Sequence, residues 1–228
     1  MKKIIFLLLF ASSSLIFSQN IAFEQVAIKV KPGSSAHVLN LFNDFYGNIE
    51  KPEGVNIRLS YLNFRPQDME ATHYLTFTGS LEGLAKLREI RGGDKYSLYN
   101  SNMLRHADII STSGGTSLMR MNLDKGNQPI SQVWRWRVDD PVSFASEFTT
   151  LIKAFTQLGY LSLGQITHGI GQDGESHYVY MTHEDYSGAL GWGPKTQAEQ
   201  QAFLKFQKAT SKYSTFLGSV TMSNIKVW

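Results

Sequence analysis

Two stretches 104 residues apart, THYLTFT from Thr72 and SHYVYMT from Ser176, share an opening His-Tyr pair and one alternation of apolar and polar positions. The likeness extends well beyond them. At the same shift residues 71–78 lie on 175–182 and Gly114 lies on Gly218, while at a shift of 106 IKVK (28–31) lies on WRWR (134–137). A two-residue difference in loop length reconciles the shifts. A chain that repeats at this length builds two copies of one unit, and that constrains its fold more than any single motif does.

The periodicities within each copy describe the unit. An alternating strand comes first, then a helical stripe: Val38, Leu41, Phe42, Phe45, Tyr46 and Ile49 in one copy, Phe144, Phe148, Leu151, Ile152 and Phe155 in the other. Ser34 or Ser35 is placed to cap the first helix. Asp140 is placed to cap the second, with Pro141 at its first position and Gly159 as its stop. Two strands joined by turn material follow, VNIRLSYLNF with THYLTFT and YLSLGQITHG with SHYVYMT. A second helical region, SLEGLAKLREI or TQAEQQAFLKFQKAT, precedes a closing strand near residues 117–121 or 220–228. The order βαββαβ, twice, is the ferredoxin-like plan, with antiparallel sheets that carry helices on one face and need a cover on the other. The expected organisation is a repeat over 20–121, a linker over 122–129 rich in Asn, Asp, Gly and Pro, and a repeat over 130–228.

The residues before the first repeat are of another kind. Lys2 and Lys3 precede an apolar run from Ile4 to Phe10, then small residues and a short apolar patch ending at Ser18. This reads as a signal peptide over 1–18, so the protein is expected to be exported, periplasmic or extracellular. The alternative, a membrane anchor, is opposed by Ser12, Ser13 and Ser14, which interrupt a stretch short of the roughly 20 apolar residues a span needs. Without Lys2 and Lys3 the chain carries twenty Lys and Arg against nineteen Asp and Glu, too even a balance for nucleic acid or an anionic membrane surface. The absence of cysteine excludes disulfides, thiol catalysis and cysteine metal sites.

The first strand ending in KPG (31–33), the amphipathic helix after it, and a third strand followed by GSLEGLAKL (79–87) resemble the dimeric α/β-barrel superfamily, which includes antibiotic-biosynthesis monooxygenase-like proteins. The resemblance implies two ferredoxin-like units packed sheet against sheet. In tandem they make an α+β single-chain α/β barrel, a monomer with an internal pseudo-dimer, or else a homodimer. It also implies a ligand pocket between a sheet and its own helices. A superfold of this kind does not fix an activity.

Strand alternation places His73, Leu75 and Phe77 on the helix side of their strand, and His177, Val179 and Met181 on that of theirs. His73 and His177 are therefore the candidate catalytic or ligand-gripping residues, with the competing reading that each only ties off a strand end. Trp134 and Trp136, with Ile28 and Val30, are expected under the helices; Lys29, Lys31, Arg135 and Arg137 take the opposite face, where they either point toward the other sheet and an anionic ligand there or, as the more ordinary reading of basic residues on a peripheral strand, are simply solvated. Tyr178 and the loop residue Trp192 complete the candidate ligand-binding set. No metal site and no cofactor are expected: HEDY from His183 reads as a helix cap, and GIGQDG (169–174) precedes a strand where a phosphate loop needs a helix. A haem-binding variant is possible by the resemblance, but a strand histidine does not argue for an axial ligand. The expected function is binding of a small apolar or aromatic molecule with a polar handle. The alternative is a cofactor-independent monooxygenase-like enzyme with His73 or His177 assisting proton removal.

Overall fold

The computed structural model describes residues 21–156, 159–169 and 174–228. The expected signal peptide and the centre of GIGQDG lie outside the described residues. In chain order the elements are β1 (Ala22–Val30), α1 (Ser35–Tyr46), β2 (Asn56–Phe64), β3 (His73–Gly79), α2 (Leu81–Ile90), α3 (Asp94–His106) and β4 (Ala107–Met121). A short turn of 3-10 helix, Leu123–Lys125, leads to β5 (Ile130–Val138), α4 (Pro141–Ile152), β6 (Leu161–His168), β7 (His177–His183), α5 (Tyr186–Leu190), α6 (Gln197–Thr210) and β8 (Ser214–Val227).

The eight strands form one closed antiparallel barrel in the order β1-β3-β2-β8-β5-β7-β6-β4. Each copy contributes four consecutive members of the ring, and the two seams are β2 with β8 and β4 with β6. The sheets thus face each other across an interior while joining at their edges, and closure leaves no exposed sheet edge along the paired segments.

The helices form where the sequence places their stripes, although Ser34 at the start of α1 makes no side-chain cap hydrogen bond. The Asp140 side chain accepts from Ser143 N at 3.1 Å and Pro141 opens α4. Thr196 and Glu199 form a reciprocal capping box at α6. Phe144, Phe148, Leu151 and Ile152 are buried against Leu161, Leu163, Val179 and Met181, and Val38, Phe42, Phe45 and Tyr46 against Ile57, Leu59, Leu75 and Phe77. Trp228 reaches the layer of the first copy, packing on Phe42 and Tyr46 and donating its indole N–H to Asn43 Oδ1 at 3.2 Å.

Three expectations need correction. The helix at Pro141 ends at Ile152, capped by Lys153, well before Gly159. β4 and β8 begin earlier than expected, because they extend past the seams to pair with β1 and β5 alone. Finally, α3 was not anticipated: it buries only Tyr99 and Met103 against the sheet layer, too narrow a stripe to stand out among polar neighbours.

Candidate functional site

The helix–sheet layers are filled. In the second copy only about 20 Å³ remains, among Trp134, Trp136, Phe148 and Trp192 and their neighbours, space for at most one water. Trp192, following α5, lies against Trp134 at 4.0 Å between ring centroids and stacks on Phe155 at 5.6 Å. The expected pocket under the helices is therefore replaced by packed aromatic core. The larger space, about 270 Å³, is inside the barrel.

That cavity exists because the inward positions are mostly polar and several are small. Ser60, Ser113, Ser117, Ser162, Thr76 and Thr78 line it beside Phe23, Tyr74, Tyr160, Tyr178 and Tyr180. Gly164 faces the Tyr178 ring so closely that a Cβ there falls inside it, which lets the ring lie flat across β6. Phe23 meets Tyr178 edge to face at 5.1 Å, and Ser162 Oγ donates to Ser117 Oγ at 3.0 Å below it. Burial pushes the Tyr74 phenol up to about 12 and that of Tyr178 higher, so both are neutral hydroxyls at ordinary pH.

Three arginines line the same space: Arg58, Arg120 and Arg135. Arg135 Nε donates to Glu175 Oε2 at 2.7 Å. Arg58 donates to Tyr180 Oη, and through Nη2 to Gly126 O at 2.8 Å and Asn127 Oδ1 at 3.0 Å. The segment between β4 and β5 therefore caps one mouth of the barrel, with Leu123, Asp124, Gly126 and Asn127 all on the lining. Thr182 Oγ1 holds it in place through Lys125 O at 2.9 Å and Gln128 Oε1 at 2.7 Å.

Of the four cations expected between the sheets, Arg135 alone enters the cavity. Lys29 is exposed and paired with Glu70 at 2.8 Å, Lys31 lies beside Asp108 and the end of α3, and Arg137 is exposed, donating to Thr215 Oγ1 at 3.2 Å. Each sits beyond the barrel's covered length. Arg58, Arg120 and Glu175 are lining residues that the sequence reading did not select. Arg58 could have been found, since it alternates with Ile57 and Leu59 and so takes the inward face.

His73 and His177 take the helix side, away from the cavity, as alternation requires. Their surroundings match. Thr72 Oγ1 accepts from Val30 N at 2.9 Å and lies 2.8 Å from His73 Nδ1; Ser176 Oγ accepts from Val138 N at 2.9 Å and lies 3.0 Å from His177 Nδ1. In each copy a hydroxyl and an imidazole fasten the start of the third strand to the end of the first. Burial, with Arg65 adding to it at His73, lowers both imidazoles to about 4, so they are neutral and poor proton acceptors. Replacing Ser176 by Ala is expected to cost about 1–2 kcal/mol in denaturant unfolding, from the orphaned Val138 N–H and imidazole, with ligand binding in the barrel unaltered. Asp185 in HEDY caps α5, accepting from Gly188 N at 2.7 Å, and no cluster of metal-ligating side chains occurs among the described residues.

No family profile matches the sequence, and no curated protein does. Solved structures do match in shape. A candidate monooxygenase from Fusobacterium nucleatum has a TM-score of 0.62 at 11% identity, over 92% of this chain and 94% of its own. An anthrone oxidase-like protein gives 0.58 at 10% identity, over 93% and 94%. A candidate chlorite dismutase gives 0.56 at 11%, over 91% and 95%. Three different activities attach to one architecture, so the likeness establishes the fold and leaves the chemistry to the site.

Proposed function

We propose that this chain, whose fold is that of the dimeric α/β-barrel superfamily in tandem form, is an exported small-molecule-binding protein whose ligand lies between the two sheets. The observation that carries the reading is the cavity of about 270 Å³ lined by polar side chains of both copies and capped by the segment that joins them. An interior needed only for stability is filled by side chains. Here strands of both copies present Ser, Thr, Arg and Tyr to open space, so convergent polar groups and aromatic rings face a concavity of the kind that holds small ligands. The amino-terminal pattern over 1–18 supports export.

Binding is favoured over the monooxygenase-like alternative by the position of the bases. Both candidate histidines lie on the other side of the sheet and are held neutral by burial. The inward phenols Tyr74, Tyr160 and Tyr178 are raised, the opposite of what a base near pH 7 needs.

The test is saturable binding across a panel of phenols, aromatic acids and their amides, followed by ligand-observed NMR and by native mass spectrometry of protein from its own host. The wild type is expected to bind, and Thr76→Trp, which puts an indole into the cavity, to abolish binding while the fold persists by circular dichroism. Absence of any saturable binding, or binding indifferent to Thr76→Trp, overturns the proposal.

A further inference from the structure

Two of the three arginines that line the cavity, Arg58 and Arg135, are in contrasting states. Arg135 has its carboxylate supplied by the protein, with side-chain exposures of 12% and 18% for Arg135 and Glu175. Arg58 has none: among the described residues no carboxylate lies within ion-pair distance of its guanidinium. Its three acceptors, Tyr180 Oη, Gly126 O and Asn127 Oδ1, are neutral dipoles. They satisfy donors without cancelling the charge. Arg58 Nε is buried and has no acceptor at all.

A half-buried guanidinium without a counter-ion is a cost that a fold ordinarily avoids. The protein's own neutral phenols do not remove it, since Tyr74 and Tyr178 resist ionisation. The placement of Arg58 also looks built for a ligand. It stands on β2 of the first copy, touches Tyr180 on β7 of the second, and is gripped by the joining segment, so three parts of the chain converge on one planar cation. The guanidinium carbon lies 6.0 Å from the Tyr180 ring centroid, which sets the charge beside an aromatic wall. Tyr160 meets that ring at 5.9 Å, and Phe23 with Tyr178 forms a second edge-to-face pair on the lining.

We infer that the barrel cavity selects a small aromatic monoanion, with Arg58 as the group that receives its carboxylate. The inference rests on the reading of the barrel interior as the ligand site and adds the chemical class of the ligand. With both Nη2 hydrogens given to Gly126 O and Asn127 Oδ1 and one Nη1 hydrogen to Tyr180 Oη, the second Nη1 hydrogen is the donor left for such a carboxylate, in a single charge-assisted hydrogen bond. Size limits the rest of the molecule. A cavity of about 150 Å³ accommodates benzene, so 270 Å³ corresponds to roughly ten to twelve non-hydrogen atoms, one substituted ring with its acid group. The hydroxyls of Ser60, Thr76 and Thr78 offer partners for a phenolic or amino substituent.

The experiment compares 4-hydroxybenzoate with 4-hydroxybenzamide, which have nearly the same shape and differ in charge, by calorimetric titration at low salt. On the wild-type chain the acid is expected to bind at least about tenfold more tightly than the amide. Arg58→Gln is expected to bring the acid down to the amide's affinity without changing the amide, and Arg58→Lys to retain part of the preference. Equal affinity of the wild type for acid and amide overturns the assignment of an anion while the cavity stands as a binding site. A preference for the acid that survives Arg58→Gln likewise removes Arg58 from the role. If neither compound binds the wild type, and Thr76→Trp is calorimetrically identical to it, both this inference and the proposed function fall.

Discussion

Between pH 6.5 and 4 the protein is expected to lose about 3 kcal/mol of stability for each of His73 and His177. Both imidazoles are buried, 4% and 0% exposed, and both fall from 6.5 in the unfolded chain to about 4 in the fold. A histidine held neutral contributes in full above its unfolded value. As pH drops below 6.5 the unfolded chain takes up the protons and the native state does not, so stability declines until the folded groups titrate near 4. His183, lowered by burial as well, adds to the same window. The combined loss is comparable to the whole stability of an ordinary domain, about 5–15 kcal/mol, so unfolding is expected before pH 4. The exposed carboxylates Glu70 and Glu82, depressed by Lys29 and Lys86, begin to lose their contribution only near their unfolded value of 4.5, so the slope between pH 6.5 and about 5 belongs to the histidines. Chemical denaturation at half-unit steps of pH gives the slope. Replacement of His73 and His177 by Leu is expected to flatten it, and an unchanged slope refutes burial of these rings as its origin.

Gly164→Ala is expected to destabilise by about 2–3 kcal/mol, although Gly to Ala within a strand normally stabilises by about 0.5–1 kcal/mol. The reversed sign comes from the Tyr178 ring, which occupies the volume a Cβ needs. The ring can yield only by swinging into the cavity, which gives up its edge-to-face contact with Phe23 and its seat beside the Ser117–Ser162 pair. A double variant, Gly164→Ala with Tyr178→Ala, is expected to lose at least about 1 kcal/mol less than the sum of its parts. Additive losses refute the steric account. Gly164→Ala is also expected to weaken ligand binding, because any displaced Tyr178 moves into the cavity.

Much of this architecture was legible because two periods and one repeat carry it. Alternation placed His73, Trp134, Trp136 and His177 on the helix side, and the structure has them there. Alternation also put Tyr178 and Arg135 inward. What it does not encode is how far a strand projects past its neighbours, and so Lys29 and Arg137, with the same parity as Arg135, sit in solvent. Which side of the sheet holds open space was illegible for a related reason. Side-chain volumes on one strand say nothing about the strand opposite, and the aromatic wealth that suggested a pocket near Trp192 fills the helix layer instead. The paired histidines mark a duplicated fastening, since each ring is tied to its own preceding hydroxyl and stands apart from the barrel interior. Arg58 and its neutral partners come from three separated segments, and no local motif announces such a meeting.

The seam between β2 and β8 is expected to slow folding. Arg58 pairs with Val227 and Phe64 with Thr221 across some 160 residues of chain, so the first copy, once synthesised, keeps an unsatisfied edge on β2 until β8 exists. Contacts this remote in sequence slow the approach to the native state, and an open edge invites pairing with the wrong partner in the meantime. The ring therefore cannot close before β8, its last strand in the sequence, is available. The same strand order that makes the finished barrel seamless also postpones its completion.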